Sequence, residues 1–269
     1  MAFDALPPIG IGTFRLQGDV ARDAVKTALS LGYRLIDTAQ MYQNEAEVGD
    51  GITSSGIPRR EVFVTTKIWY DNLHRSELMK SLKESLQRLK TDHVDLALVH
   101  WPSPANEVPM EEYLLALQEA QREGLTDHIG VSNFTIAQMD QARDILGETP
   151  IFTNQIEVHP FLANRKVVDH AQTVGITVTG YMPLAVGRVM EDECLQGIAR
   201  QHAVTPAEVA IAWVASRGIV PIPSSTRSEH LKANLNALRL ELTAEELASI
   251  DRLDRGERSA SPDFAPAWD

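Results

Sequence analysis

The chain has 269 residues, a length that fits one large α/β domain or two smaller ones, and at 43% hydrophobic and 23% charged its composition suits a soluble globular protein. Its formal net charge of −12, with no compensating basic block, argues against a nucleic-acid or anionic-membrane partner. Cys194 is the single cysteine, so no intrachain disulfide can form; the first eight residues lack the basic and apolar segments of a secretion signal, no apolar run is long enough to span a bilayer, and a cytoplasmic monomer is expected.

Apolar strands rich in Val, Ile and Leu alternate with amphipathic helices along the whole chain, the pattern of βα units around a parallel sheet. The first strand is read at Gly12–Phe14. The second, Leu35–Thr38, breaks into a polar turn at Gln40–Asn44 and enters a helix whose first turn holds Glu45 and Glu47, where carboxylates suit the positive helix end. Strands follow at Val62–Lys67 and Asp95–His100. Between them lies a helix at Arg75–Leu89, with Leu78, Leu82, Leu86 and Leu89 on one face. A helix at Glu111–Glu123 leads to strands at Ile129–Ser132, Thr153–Glu157 and Thr177–Tyr181, spaced by helices at Ile136–Leu146 and Arg165–Val174. Glu191–Arg217 holds two helices, the second opened by Thr205-Pro206 as cap and first residue. A strand at Ile219–Pro223 and a helix at Glu229–Leu235 come next. A last helix follows Thr243, with Glu246 completing a capping box.

Eight strands with intervening helices predict a closed (β/α)8 TIM barrel forming a single domain over residues 1–269, with an open doubly wound sheet as the alternative. Two segments lie outside the barrel plan: a Pro-rich loop at Trp101–Met110 and a polar tail at Asp254–Asp269. Both are placed to border a pocket, although the tail's composition equally suits disorder. No Gly-x-Gly-x-x-Gly follows a strand and no P-loop occurs, so a dinucleotide, if bound, must be held in a non-Rossmann manner.

Several strands end in a residue able to do chemistry: Asp37, Lys67 and His100 close the second, third and fourth. In a barrel such ends converge on one rim. A lysine on a strand as apolar as Val62–Lys67 needs a carboxylate, and Asp37 is the natural partner. With Tyr42 in the loop after Asp37, these residues match in order and context the catalytic tetrad of the aldo-keto reductases, NAD(P)H-dependent carbonyl reductases that the chain resembles from about Gly10 to Asn234.

The resemblance implies more. Gly130-Val131-Ser132-Asn133-Phe134 is similar to the family's second signature, so Ser132 and Asn133, with Gln155, are expected to hold the nicotinamide carboxamide, and Tyr181 to stack on its ring. Gly12-Thr13-Phe14 resembles the first-strand motif below the nicotinamide. Leu184 and Asn234 complete the cofactor contacts expected by resemblance. The third signature departs from its pattern: in Ile222-Pro223-Ser224-Ser225-Thr226-Arg227-Ser228-Glu229-His230, Ser224 replaces a Lys and His230 replaces an Arg that grip the 2′-phosphate of NADPH. Ser225, Thr226, Arg227 and His230 are therefore the expected phosphate contacts, Arg227 offering a planar fork, with Lys232 and a helix N-terminus near it. Phe14, Trp69, Tyr70 and Trp101 are expected to wall the substrate pocket.

The implied activity is reduction of an aldehyde or ketone with NADPH. Tyr42 would be the proton donor, its pKa lowered by Lys67, with Asp37 orienting that lysine and His100 aligning the carbonyl oxygen. The Trp101–Pro104 loop and the closing Ala265–Asp269 are most similar to the bacterial 2,5-diketo-D-gluconate reductases of the short B type. Keto-sugar acids and small α-oxoaldehydes such as methylglyoxal are then the expected substrates, with no metal required. Two other readings stand beside it. One is a metal-dependent barrel hydrolase or isomerase using Gln155, Glu157 and His159, which share one face, with His100. The other is a cofactor-binding barrel without turnover.

Overall fold

The computed structural model describes residues 3–269. Strands β1 (Gly10–Gly12), β2 (Leu35–Asp37), β3 (Phe63–Ile68), β4 (Val94–Val99), β5 (Thr126–Ser132), β6 (Thr153–Glu157), β7 (Thr177–Tyr181) and β8 (Ile219–Ile222) pair in chain order, every pairing parallel. The Gly12 N–H donates to Pro223 O at 3.0 Å and brings the first strand back to the last. A Cβ at Gly12 would lie 3.0 Å from Ile222 O, a contact tight enough that this seam favours glycine.

Helices α1 (Gly18–Leu31), α2 (Glu45–Ser54), α3 (Arg75–Leu89), α4 (Met110–Arg122), α5 (Ile136–Leu146) and α6 (Arg165–Thr173) cover the outside, followed by α7 (Glu193–His202), α8 (Pro206–Ser216), α9 (Ser228–Asn236) and α10 (Ala244–Asp251). Their buried faces pack on the outward residues of the strands in one large apolar layer, which includes Ile36, Val64, Ala97, Ile129 and Val178. Thr243 with Glu246 forms the expected capping box, and Thr205, the expected cap of α8, forms another with Glu208. No described helix is long and apolar enough to cross a membrane.

Strand side chains alternate between the two faces, and the inward set sorts by height. Leu35, Phe63, Leu96, Leu98 and Ile222 fill the interior as a separate apolar cluster. Phe3 closes it from below, its ring 5.4 Å from that of Phe63 and its carbonyl accepting from His128 Nε2 at 2.7 Å. One or two steps up the same strand faces come Asp37, Lys67, His100, Ser132 and Gln155. Apolar filling below and polar residues above thus follow from the period of two in each strand.

Several features differ from the sequence reading, and β5 begins earlier than expected, at Thr126. β1 is two residues earlier than expected, because the chain turns at Thr13, whose N–H donates to Asp37 O and whose carbonyl accepts from Leu16 N. α1 was not individually anticipated; its apolar face is mostly alanine, with Ala21, Ala24 and Ala28 buried beside Val25 and Leu29. The tail after Asp254 is packed against the barrel rim rather than loose.

Candidate active site

The C-terminal rim opens into a cavity of about 610 Å³. At its base Lys67, fully buried, donates to Asp37 Oδ1, to Thr38 O at 3.0 Å and to Tyr42 Oη at 3.3 Å. Burial works against the Lys67 charge, but Asp37, then Tyr42, more than offset it and raise the lysine pKa. Tyr42 lies in the single 3₁₀ turn Gln40–Tyr42 that follows β2, and its hydroxyl shares the Lys67 ammonium with Asp37. Here the expectation of a lowered tyrosine pKa is not met. Burial pushes the phenol above its ordinary value, and Lys67 only moderates the rise.

His100 lies beside this group, its ring centroid 5.6 Å from that of Tyr42 and 5.2 Å from that of Trp69. Burial, followed by the Lys67 charge, holds its pKa well below the usual histidine value, so the ring is neutral. Nδ1 is buried with no partner. An orphaned N–H there costs more than an unfilled lone pair, which assigns the proton to Nε2, the edge left open to the cavity.

Two side-chain amides are tied to this group, and a hydroxyl is tied to the backbone of the first. Gln155 Nε2 donates to Asp37 Oδ2 at 2.7 Å. Asn133, in the left-handed conformation at φ 63°, donates to His100 O at 3.0 Å and accepts from the Tyr181 hydroxyl at 2.8 Å. Ser132 Oγ donates to Gln155 O at 2.8 Å. Gly12, Phe14, Leu184 and Trp101 also line the cavity, with the Phe14 ring 5.1 Å from that of Tyr42.

The cavity runs on to the loop after β8, where Ser225, Thr226, Arg227 and His230 line it with Ser224. The Arg227 guanidinium is paired with Glu229, Nε to Oε1 at 2.7 Å, and both side chains are exposed. Such surface pairs are worth about 0–1 kcal/mol and exchange readily for a stronger anion.

Four residues expected at the site lie outside the cavity lining. Thr13 is buried, its hydroxyl donating to Asp37 O at 3.0 Å. Asn234 is buried on α9 away from the lining. Trp69 and Tyr70 stand one layer back: Trp69 packs on His100, and Tyr70 meets Phe264 of the tail at 4.7 Å. Residues not anticipated include Arg15, Met182, Val186, Gly187 and Ala260. Arg15, at φ 66° and 5.1 Å over the Phe14 ring, directly follows the Gly12-Thr13-Phe14 motif and was legible there.

The metal reading loses its ligands. Glu157 Oε1 and Oε2 are taken by His159 and by tail N–H groups, so Glu157 and His159 do not assemble with His100. Among the described residues the group close enough to share an ion is His93, Asp95 and Asp127, outside this cavity, and the Arg59 guanidinium, 2.8 Å from Asp95, already balances it.

The chain matches the Aldo/keto reductase family over residues 8–255. It is an aldo/keto reductase. This reductase is 54% identical over 266 residues to the methylglyoxal reductase DkgB of Escherichia coli O157:H7, covering 98% of this chain and all of that one. It is 40% identical to an aldo-keto reductase of Mycolicibacterium vanbaalenii, over 95% of this chain and 91% of the other. A crystal structure described as a 2,5-diketo-D-gluconic acid reductase B superposes at a TM-score of 0.95, with 42% identity over 98% of this chain and 94% of that one. A Bombyx mori aldo-keto reductase solved in complex with NADP superposes at 0.90, with 31% identity over 97% and 95%. As an aldo/keto reductase the protein is an oxidoreductase that reduces carbonyl groups with a nicotinamide cofactor.

Proposed function

We propose that the protein uses NADPH to reduce small α-oxoaldehydes such as methylglyoxal, and keto-sugar acids such as 2,5-diketo-D-gluconate. The observation that carries this reading is the hydrogen-bonded run from Asp37 through Lys67 to Tyr42, set beside a neutral His100 at one cavity. The names of the relatives at 54% and 42% identity support the substrate classes.

The residues fit the cofactor. Ser132, Asn133 and Gln155 present the donors and acceptors that a carboxamide needs, and Tyr181 offers an aromatic face. Arg15 and Arg227 are the two permanent cations in a lining otherwise short of positive charge. Arg227 takes the 2′-phosphate and Arg15 is available to the pyrophosphate, which supports NADPH despite Ser224 and His230. When bound, NADPH supplies the hydride.

The chain's own residues supply the rest. Tyr42, kept protonated by its raised pKa, donates to the carbonyl oxygen as negative charge builds there. Lys67 steadies the tyrosinate left behind, and Asp37 keeps Lys67 charged and aimed. His100, donating from Nε2, holds the same oxygen in line. Since a neutral imidazole has no proton to lose in this pH range, Tyr42 is the acid.

The exposed large apolar side chains are divided among α1, the β2–α2 turn, α4 and the β7–α7 loop, which supports a monomer. A cytoplasmic location is part of the same proposal, and the single cysteine fits it. The deciding experiment is NADPH oxidation followed at its absorbance maximum against methylglyoxal and a panel of keto-sugar acids. Absence of turnover on the whole panel would overturn the reading.

A further inference from the structure

Glu157, the last residue of β6, and His159 just after it are fully buried, and the reduction just described does not use them. Their hydrogen bonds have a definite direction. The Phe161 N–H donates to His159 Nδ1 at 3.2 Å, which leaves the ring proton on Nε2, and Nε2 donates to Glu157 Oε1 at 2.9 Å. The other donors to this carboxylate come from the tail. Ser259 N–H reaches Oε1 at 2.7 Å and Ala260 N–H reaches Oε2 at 2.8 Å. An ionised carboxylate accepts at every lone pair and suits three donors; a side-chain amide would turn an NH2 against one of them.

Beyond this anchor the tail closes on itself. The Arg258 guanidinium stacks 3.7 Å over the Trp268 ring, and Asp269 Oδ2 accepts from the Ile136 N–H at the start of α5 at 3.0 Å. Between those ends, Phe264 packs on Tyr70 at 4.7 Å, Trp101 at 5.5 Å and Trp69 at 6.1 Å. Trp101 lines the cavity and Trp69 backs His100, while Ala260 lines the cavity itself. The position of this aromatic wall therefore depends on where the loop is pinned.

We propose that Glu157, oriented by His159, is a positioning residue for the substrate: it pins residues 258–268 so that Phe264 completes the aromatic wall beside His100. The proposal rests on the carbonyl-reductase reading and adds the residue that sets its substrate affinity. Glu157 does not line the cavity. When the pin is lost, the fraction of molecules with a complete wall falls, KM rises by the inverse of that fraction, and the step within the bound complex is unchanged.

The test compares wild type, Glu157→Gln, Phe264→Ala and the double variant, all as full chains, with NADPH and a keto-sugar acid. In Glu157→Gln the KM for the keto acid should rise about tenfold while kcat stays within about threefold, the split expected of a lost competent fraction. The NADPH Kd, read by nicotinamide fluorescence, should not move. The double variant should be no worse than the worse single one, since both act through one wall. A wild-type KM in Glu157→Gln, or fully additive losses, would overturn the proposal. Should Glu157→Gln fail to fold, Trp268→Ala opens the neck of the loop from the tail side and must give the same rise in KM; an unchanged KM there overturns it equally. A wild type that reduces no carbonyl would overturn both readings, whereas normal turnover with an unmoved Glu157→Gln KM overturns this one alone.

Discussion

Replacing Lys67 with methionine separates charge from packing at the centre of the site. The thioether fills most of the space of the lysine stem, so the change removes the ammonium and its three hydrogen bonds, to Asp37, Thr38 O and Tyr42. Asp37, 2% exposed, then keeps a single side-chain donor, Gln155 Nε2 at 2.7 Å. Deleting one partner of a buried ion pair costs roughly 3–5 kcal/mol, because the other charge is left uncompensated. The surviving hydrogen bond places this case near the low end, about 3 kcal/mol. That is a large share of the roughly 5–15 kcal/mol that holds a domain folded. With a urea slope at or above ~3 kcal/mol per molar for a chain of this size, the midpoint should fall by up to about 1 M. Asp37→Asn in the Lys67→Met background removes the orphaned charge and should recover most of the midpoint. Neither variant should regain turnover, since Tyr42 has lost its cation; both should lie about 10²–10⁴-fold below wild type. The reasoning is refuted if Lys67→Met unfolds at the wild-type midpoint, or if adding Asp37→Asn destabilises it further.

Tyr42→Phe should lose about 10²–10⁴-fold in kcat while the urea midpoint and NADPH Kd barely change, because Lys67 gives up only a 3.3 Å contact; near-normal kcat would remove Tyr42 as the acid. The donor must be protonated, and burial raises its pKa, so reduction should hold level from about pH 6 to about pH 9 and decline only beyond the ordinary tyrosine value near ~10. His100, held well below its usual value, adds no inflection in that window, and a fall in kcat centred there would contradict both assignments. Arg227→Ala should raise the KM for NADPH by about one to two orders of magnitude, the worth of a charge-assisted contact, and leave NADH almost untouched. Glu229→Gln, which frees the same guanidinium, should move the cofactor ratio the other way; an unchanged ratio in both would place the phosphate elsewhere. Burial opposes charge on Glu157, but His159 and the two tail N–H groups hold its pKa below the usual carboxylate value. Its share of stability is thus complete above the unfolded value near ~4.3 and is lost as pH falls through the depressed one, so acid unfolding should be less steep in Glu157→Gln.

The barrel was legible because its strands are short, doubly buried and apolar, and such runs have few alternative arrangements. Asp37, Lys67 and His100 could be placed together since the first two are the last inward residues of their strands, His100 directly follows its own, and strand ends meet in a closed barrel. Tyr42 needed the resemblance, for a residue in a 3₁₀ turn has no periodicity to aim it. The depth of Trp69 and Tyr70 was not legible for a different reason. They pack against Phe264, almost two hundred residues later, in a tail whose prolines and polar residues carry no strand or helix pattern. Glu157 and His159 were seen to share a face, which fits a metal site as well as an anchor. The choice lies in the backbone N–H groups of Ser259 and Ala260, and every residue except proline has one. The rise in the Tyr42 pKa was missed because sequence supplies the neighbouring charge but not the burial that outweighs it.

Gln155 joins the two halves of the site, and a variant there tests whether cofactor and acid are coupled. Its side-chain Nε2 donates to Asp37 Oδ2 at 2.7 Å while its backbone carbonyl accepts from Ser132 Oγ at 2.8 Å, so one residue joins the carboxylate behind the proposed acid to the proposed carboxamide subsite. Gln155→Met keeps the volume and deletes the donor. A hydrogen bond to a charged acceptor is worth roughly 1.5–3 kcal/mol, enough for Asp37 to turn part of its time away from Lys67. NADPH should then bind more weakly, and kcat should also fall, by about tenfold or more on that figure. In an Asp37→Asn background there is no carboxylate to steer, so Gln155→Met should still weaken NADPH but cost little further in kcat. Measuring Kd and kcat across these four proteins isolates the coupling. If Gln155→Met moves only the Kd, the carboxamide contact is independent of the proton donor, and Lys67 alone orients Asp37. If both constants move and the kcat effect vanishes with Asp37→Asn, seating the nicotinamide and holding Asp37 in place depend on the same amide.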